Sequence, residues 1–264
     1  MVDLFTIKLI LSFLVGGAYA IVATIIADKL GSKIGGLISG LPSTTLFGLL
    51  FIAWTQNTRA TVEATTLIPA VIGIACLFLI TYVLFFRKGF WVAIFLSFIV
   101  WILFTLELFS LNLTNFFLSV LVFCLCFLIT YVIVNKILKI KSVKGNTIKY
   151  SAKLLFVRGF ITGFVIVISV FIAKFGGPVL GGVFTTFPAM FSSVLLITYH
   201  AHGQAFSAGV AKSSLFAWIS TTIFVIVFRY TVIPFGIVGG TSVALLVSYF
   251  SAYLLYEFVL KKHE

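Results

Sequence analysis

The chain is written in long apolar runs parted by short polar stretches. Runs of about twenty residues, the length that crosses the hydrocarbon of a bilayer, recur from end to end. The pattern predicts spans near residues 6–27, 34–55, 64–86, 90–110, 115–135, 152–174, 178–200, 211–230 and 235–258. The expected class is an all-α polytopic membrane protein of about nine transmembrane helices. One run breaks the pattern. Residues 35–50, GGLISGLPSTTLFGLL, carry four glycines, a proline and four hydroxyl side chains. Proline removes a backbone donor and clashes with the preceding turn. Lipid offers no water to repair that loss. An interrupted helix is therefore expected here.

Composition agrees with the pattern. Apolar residues make up 62% of 264, and mean hydropathy is +1.26. No stretch is long and polar enough for a separate soluble domain. The first apolar run follows Asp3 rather than a basic cluster and is too long for a cleavable leader, so it is read as the first span. The net charge of +12 raises nucleic acid as a partner, but its distribution points to the bilayer. With nine spans, Lys8, Arg59, Lys174 and Arg229 fall on the N-terminal side, and the other 14 Lys and Arg fall opposite. The positive-inside rule then places the N-terminus outside and the C-terminus in the cytosol. The expected home is the cell membrane, with the lipid bilayer and a small solute as partners. Nothing in the chain sets an oligomeric state.

Sliding the chain by 146 residues brings two halves into register. Gly17 falls on Gly163, Gly31 on Gly177, Gly35 and Gly36 on Gly181 and Gly182, and Pro42 on Pro188. One gapless offset covers four spans. The expected organisation is a first four-helix repeat (1–110), a connecting helix with a basic cytosolic loop (111–150), and a second four-helix repeat (151–264). An odd connector inverts the second repeat relative to the first. Inverted repeats are a recurrent plan of secondary transporters, with the substrate site near the midplane where the repeats meet.

Pro42 and Pro188 fall about eight and ten residues into their spans, roughly 12–15 Å deep at 1.5 Å per residue. If each begins a half-helix, two positive helix ends converge, which suits an anion. Ser39, Pro42, Ser43, Thr44 and Thr45 from one half, and Thr185, Thr186, Pro188, Ser192 and Ser193 from the other, are the expected substrate-binding residues. Hydroxyls serve there without the cost of a buried charge. The competing reading is packing alone, since proline kinks and small-residue faces also serve helix crossings.

Other polar residues have narrower roles. Arg158 is expected to snorkel to the cytosolic interface or to act as a substrate counter-ion. Tyr199, His200 and Gln204 at one end, and Gln56 at the matching place in the first half, are expected to form a gate or vestibule. Trp54, Trp91 and Trp101 are expected in the aromatic belt. The lone His-x-His of His200 and His202 supplies too few ligands for a metal site. No metal, no cofactor and no nucleotide-binding loop is expected. No Ser–His or paired-carboxylate arrangement suggests an enzyme.

GGLISGLPSTTLFGLL resembles the glycine–x–proline helix of the GlpM-like family of small bacterial inner-membrane proteins. GGVFTTFPAMFSSVLL, residues 181–196, is similar, with Thr186 in place of Gly40. The resemblance implies a compact unit of about four helices and a link to alginate production, and it carries over no site residue. The leading functional expectation is a secondary transporter or uniporter for a small polar or anionic solute. The alternatives are a channel-like pore, or a non-transporting partner or scramblase of an envelope lipid or polysaccharide system.

Overall fold

The computed structural model describes residues 3–29, 42–138 and 151–260, of which 91% are helical and none lies in a strand. In chain order the helices are α1 (Leu4–Lys29), α2 (Ser43–Thr55), α3 (Thr58–Ala64), α4 (Ile68–Phe85), α5 (Phe90–Ser110), α6 (Phe116–Val132), α7 (Ala152–Phe175), α8 (Pro178–Phe184) and α9 (Ala189–Leu255). Seven of the described stretches are long and apolar enough to cross a membrane, and Ser43–Thr55 is a shorter apolar helix. The fold is compatible with a polytopic protein in a lipid bilayer.

Few charges are available to end these helices, so neutral caps do it. The Asn57 side chain accepts from the Ala60 N–H at 2.8 Å, that of Asn115 from Phe117 N–H at 2.8 Å, and the Ser151 hydroxyl from Leu154 N–H at 3.3 Å. Each satisfies a donor that a first helical turn leaves orphaned.

The element bounds depart from the hydrophobic pattern in three places. The predicted span 64–86 begins earlier, at Thr58, and carries its own interruption at residues 65–67, between α3 and α4. The stretch expected as a loop, 201–210, is helical. Only Gly203 leaves helical geometry there, with φ of +81°, and Gly236 does so further on at +69°. Glycine alone reaches this region cheaply, so one residue makes each bend and the flanking Ala, Gln and Ser stay helical. Those bends divide α9 into arms of residues 189–202, 204–235 and 237–255. Most of the basic loop and the first part of predicted span 34–55, Ser39 included, lie outside the described residues.

Two packing features position the halves. First, α1 and α7 cross closely and run antiparallel. A Cβ at Gly17 would lie 2.8 Å from the Gly159 carbonyl, and one at Gly163 2.6 Å from the Phe13 carbonyl. Phe5 meets Phe175 with ring centroids 6.1 Å apart. Small residues let such backbones approach where no hydrophobic drive operates between helices. Second, α4 lies at the centre of the buried core. Its Tyr82 is fully buried and shares a 2.8 Å hydrogen bond with the Ser207 hydroxyl on the middle arm of α9. At the other end of that contact, Arg229 Nη1 donates to the Val62 carbonyl at 2.6 Å and to the Thr65 hydroxyl at 2.7 Å. The segment 58–88 and the arm 204–235 are therefore antiparallel too.

Several local details recur at the 146-residue offset. Thr61 donates to the Leu49 carbonyl at 2.8 Å, and Ser207 donates to the Leu195 carbonyl at 3.0 Å. The chain breaks at Asn57 and again at Gly203. Exchanging the halves in the Gly17–Gly159 contact yields the Gly163–Phe13 contact.

Candidate functional site

Pro42 and Pro188 each stand immediately before a helix. They occupy the cap position, one residue earlier than the first helical place expected of them, with φ of −71° and −78° and non-helical ψ. The first intrahelical bonds are Leu46 N–H to the Pro42 carbonyl at 2.6 Å and Ser192 N–H to the Pro188 carbonyl at 2.9 Å. On the second half the chain ahead of the proline is itself a helix, α8, so the apolar stretch Pro178–His200, long enough to cross a membrane, is broken at residues 185–188.

A cavity of about 80 Å³ lies between the two helix starts. Its wall has an internal order. Pro42 faces it with Pro188, Thr44 with Met190, Thr45 with Phe191, Ile72 with Trp218 and Ala75 with Thr221. The members of every pair are 146 residues apart, so the cavity straddles the relation between the halves. Ser43, Thr186 and Phe187 complete the wall. No Asp, Glu, Lys, Arg or His is among these residues. At about 30 Å³ of liquid volume per water, the space has the room of two or three waters or one small solute.

The expected site residues divide cleanly. Pro42, Ser43, Thr44, Thr45, Thr186 and Pro188 line the cavity. Thr185, Ser192 and Ser193 do not. Thr185 is buried against Gly48 and donates to the Gly182 carbonyl at 2.6 Å. Ser192 donates to the Pro188 carbonyl and Ser193 to that of Met190, both at 2.7 Å. Such back-bonding to a carbonyl three or four residues earlier turns a hydroxyl into part of its own helix. By contrast, Ser43, Thr44 and Thr45 make no hydrogen bond through their hydroxyls to the described residues, although Thr45 is only 3% exposed.

The remaining expectations sort by place. Arg158 is 3% exposed within the bundle, which excludes a side chain reaching the interface. Its neighbour one turn on, Thr162, bonds the Arg158 carbonyl at 2.8 Å and the Met190 sulfur of the cavity wall. Gln204 donates to the Phe86 carbonyl at 3.1 Å, and Tyr199 packs on Phe90 at 5.0 Å and on His200 at 5.4 Å. Those three residues thus gather at one end of the molecule. Gln56 is half-buried at the end of α2, on the other half. Trp54 and Trp91 are exposed, as a belt requires, but Trp101 is 5% exposed and packs edge-on against Phe187 of the cavity wall, at 5.3 Å. Among the described residues no three His, Cys, Asp or Glu come together.

Ile72, Ala75, Phe187, Met190, Phe191, Trp218 and Thr221 line the cavity without having been singled out from the chain. Apolar residues in apolar runs carry no local signal. The offset does: 72 with 218 and 75 with 221 stand in the same register as the prolines.

Fold and cavity together are those of an all-helical chain compatible with a bilayer, with a small cavity whose described wall residues carry no charge. Residues 9–114 match a family described as a protein of unknown function (DUF3147). The matched segment ends near the close of the first predicted repeat, and the chain is similar to that family over this part only. No curated protein and no solved structure matches the chain.

Proposed function

We propose that this chain is a secondary transporter or uniporter for a small polar or anionic solute, with the solute held between the helix starts at Pro42 and Pro188. One observation carries the reading: the cavity wall is built from five residue pairs at a single sequence offset. A packing defect has no reason to fall on the axis that relates two halves of a chain, whereas a transport site does. We read the architecture as nine spans in an inverted repeat of four, one and four. The bend at Gly236 parts the last long helix into two, and α2 is the latter part of an interrupted second span. The antiparallel course of α1 against α7 and of 58–88 against 204–235 supports this, as does the family match that ends at residue 114. The proposed orientation is N-terminus outside, in the cell membrane. On that side Lys8 bonds the Trp54 carbonyl at 2.6 Å and Lys174 lies 3.7 Å from the Phe5 ring centre. No enzymatic step is assigned to the site. The GlpM-like resemblance is kept as a likeness of pattern in each half.

Proteoliposomes containing the purified chain should take up a small solute saturably, and Pro42→Ala with Ser43→Ala should slow that uptake. Untouched uptake in a folded variant contradicts the midspan site. A second reading, lipid scrambling, is favoured by an apolar groove of about 240 Å³ between α7 and the break, walled by exposed Phe160 and Phe164 and sharing Phe187 with the polar cavity. Loss of leaflet asymmetry for a fluorescent phospholipid in the same liposomes, without solute uptake, would decide for it.

A further inference from the structure

We infer that the cavity between the helix starts recognises a small monocarboxylate with a short alkyl body; this rests on the transport-site reading above. The polar pole comes from the first half. At the start of α2 the amide N–H groups of Ser43, Thr44 and Thr45 precede the first intrahelical bond, which belongs to Leu46. The three hydroxyls beside them have no hydrogen-bond partner among the described residues, and Thr45, which lines the cavity, is only 3% exposed. The Thr45 hydroxyl is thus available to an acceptor or donor placed in the cavity. A second helix start converges from the other half, where the first intrahelical bond past Pro188 belongs to Ser192.

Charge narrows the class. Each helix start is worth about half a positive charge, so the pair matches roughly one negative charge. Among the described residues the wall carries no Lys, Arg or His, so there a dianion is under-matched, and a cation meets two positive ends. The opposite pole narrows it further. Met190 and Phe191 stand where the first half has Thr44 and Thr45, and Ile72 and Trp218 extend that apolar surface. A halide has no apolar part to place there. A carboxylate with a short alkyl chain presents one acceptor end and one apolar end. At about 30 Å³ of liquid volume per water, a cavity of about 80 Å³ has the room of two or three waters, which limits the alkyl part to a few carbons.

The test uses the full chain in detergent, with Trp54, Trp91 and Trp101 changed to Phe so that Trp218 reports alone, and thermal melting of the unaltered protein as the second readout. Sodium propionate should quench or shift Trp218 emission saturably and raise the melting temperature. Sodium sulfate, choline at fixed chloride and the neutral isostere propionamide should do so only weakly. Thr45→Val should weaken propionate by about tenfold, the loss of one hydrogen bond to a charged group, and Thr45→Ser should restore it. Propionate with no saturable effect in the parent protein, or binding no tighter than propionamide, overturns the inference. Saturable flux of another solute without propionate binding overturns it while sparing the transport reading. Propionate binding without any flux supports it and removes the transport reading alone.

Discussion

The two halves of the cavity share a backbone plan and differ in chemistry. After Pro42 the chain reads Ser43, Thr44, Thr45; after Pro188 it reads Ala189, Met190, Phe191. The same helix start thus presents hydroxyls on one side and an alkyl–aromatic surface on the other. In the first half the hydroxyls are left without partners among the described residues. In the second half the hydroxyls that survive, Ser192 and Ser193, are folded back onto their own helix. On the proposed reading of two repeats, side-chain substitution alone makes the cavity asymmetric, with the shared offset setting where the walls stand and each half deciding what its wall offers.

Forcing α8 away from α3 should have the largest effect. The backbone of α8 rests on α3: a Cβ at Gly182 would lie 1.9 Å from the Ala64 carbonyl. Gly182→Val should cost at least about 3 kcal/mol, because the obstruction is backbone and cannot rotate away. Size-exclusion of the detergent-solubilised variant should show loss of the monodisperse peak. A normal peak and melting temperature would mean that the halves are not seated in this way.

The equivalence of the halves is open to a milder perturbation. Gly17→Leu and Gly163→Leu obstruct matched points of the α1–α7 crossing, and each should cost about 1–3 kcal/mol. Similar drops in melting temperature are expected for the two. A large drop for one and none for the other would deny that the crossing is shared evenly.

How much of this was legible in the chain depends on what breaks a rule. The helix starts after Pro42 and Pro188 were visible because proline in an apolar run contradicts lipid-exposed helix, and Ser43, Thr44 and Thr45 beside the first contradict hydrophobicity. The matching position of Pro188 gave the second wall. The uninterrupted wall residues were silent: Ile72 and Trp218 look like any apolar residue in a span. Thr185, Ser192 and Ser193 misled for a physical reason, since a hydroxyl in a helix can satisfy itself on a preceding carbonyl and leave no trace in composition. Arg158 misled because a long basic side chain near a span end usually snorkels, and here the bundle buries it. The bend at Gly203 was hidden because one glycine does the work usually given to a loop.

A smaller effect separates the polar wall from the apolar one. Thr45→Val should reduce solute uptake by about tenfold with little change in melting temperature, as expected for a hydroxyl whose partner is a charged ligand group rather than protein. Phe191→Leu, on the opposite wall, keeps an apolar surface and should change uptake less. Equal losses from both would mean that the walls do not differ in role.

The smallest effects lie in the matched hydrogen bonds behind the cavity. Thr61→Val removes the bond to the Leu49 carbonyl and should cost about 1 kcal/mol. Ser207→Ala removes its counterpart to the Leu195 carbonyl and also strands the buried Tyr82 hydroxyl. Its cost should exceed that of Thr61→Val, by chemical denaturation or thermal melting. The reverse order would show that the Tyr82 contact contributes little.

Passage of solute through the space between Pro42 and Pro188 is tested most directly by uptake into proteoliposomes across a panel of small anions and neutral solutes. Wild type and the Pro42→Ala, Ser43→Ala variant are measured side by side at matched folded protein. Saturable wild-type uptake of at least one small solute is expected, reduced in the folded variant by about tenfold or more, the equivalent of at least one lost contact to the solute. Uptake by the folded variant equal to wild type would contradict a site between the prolines.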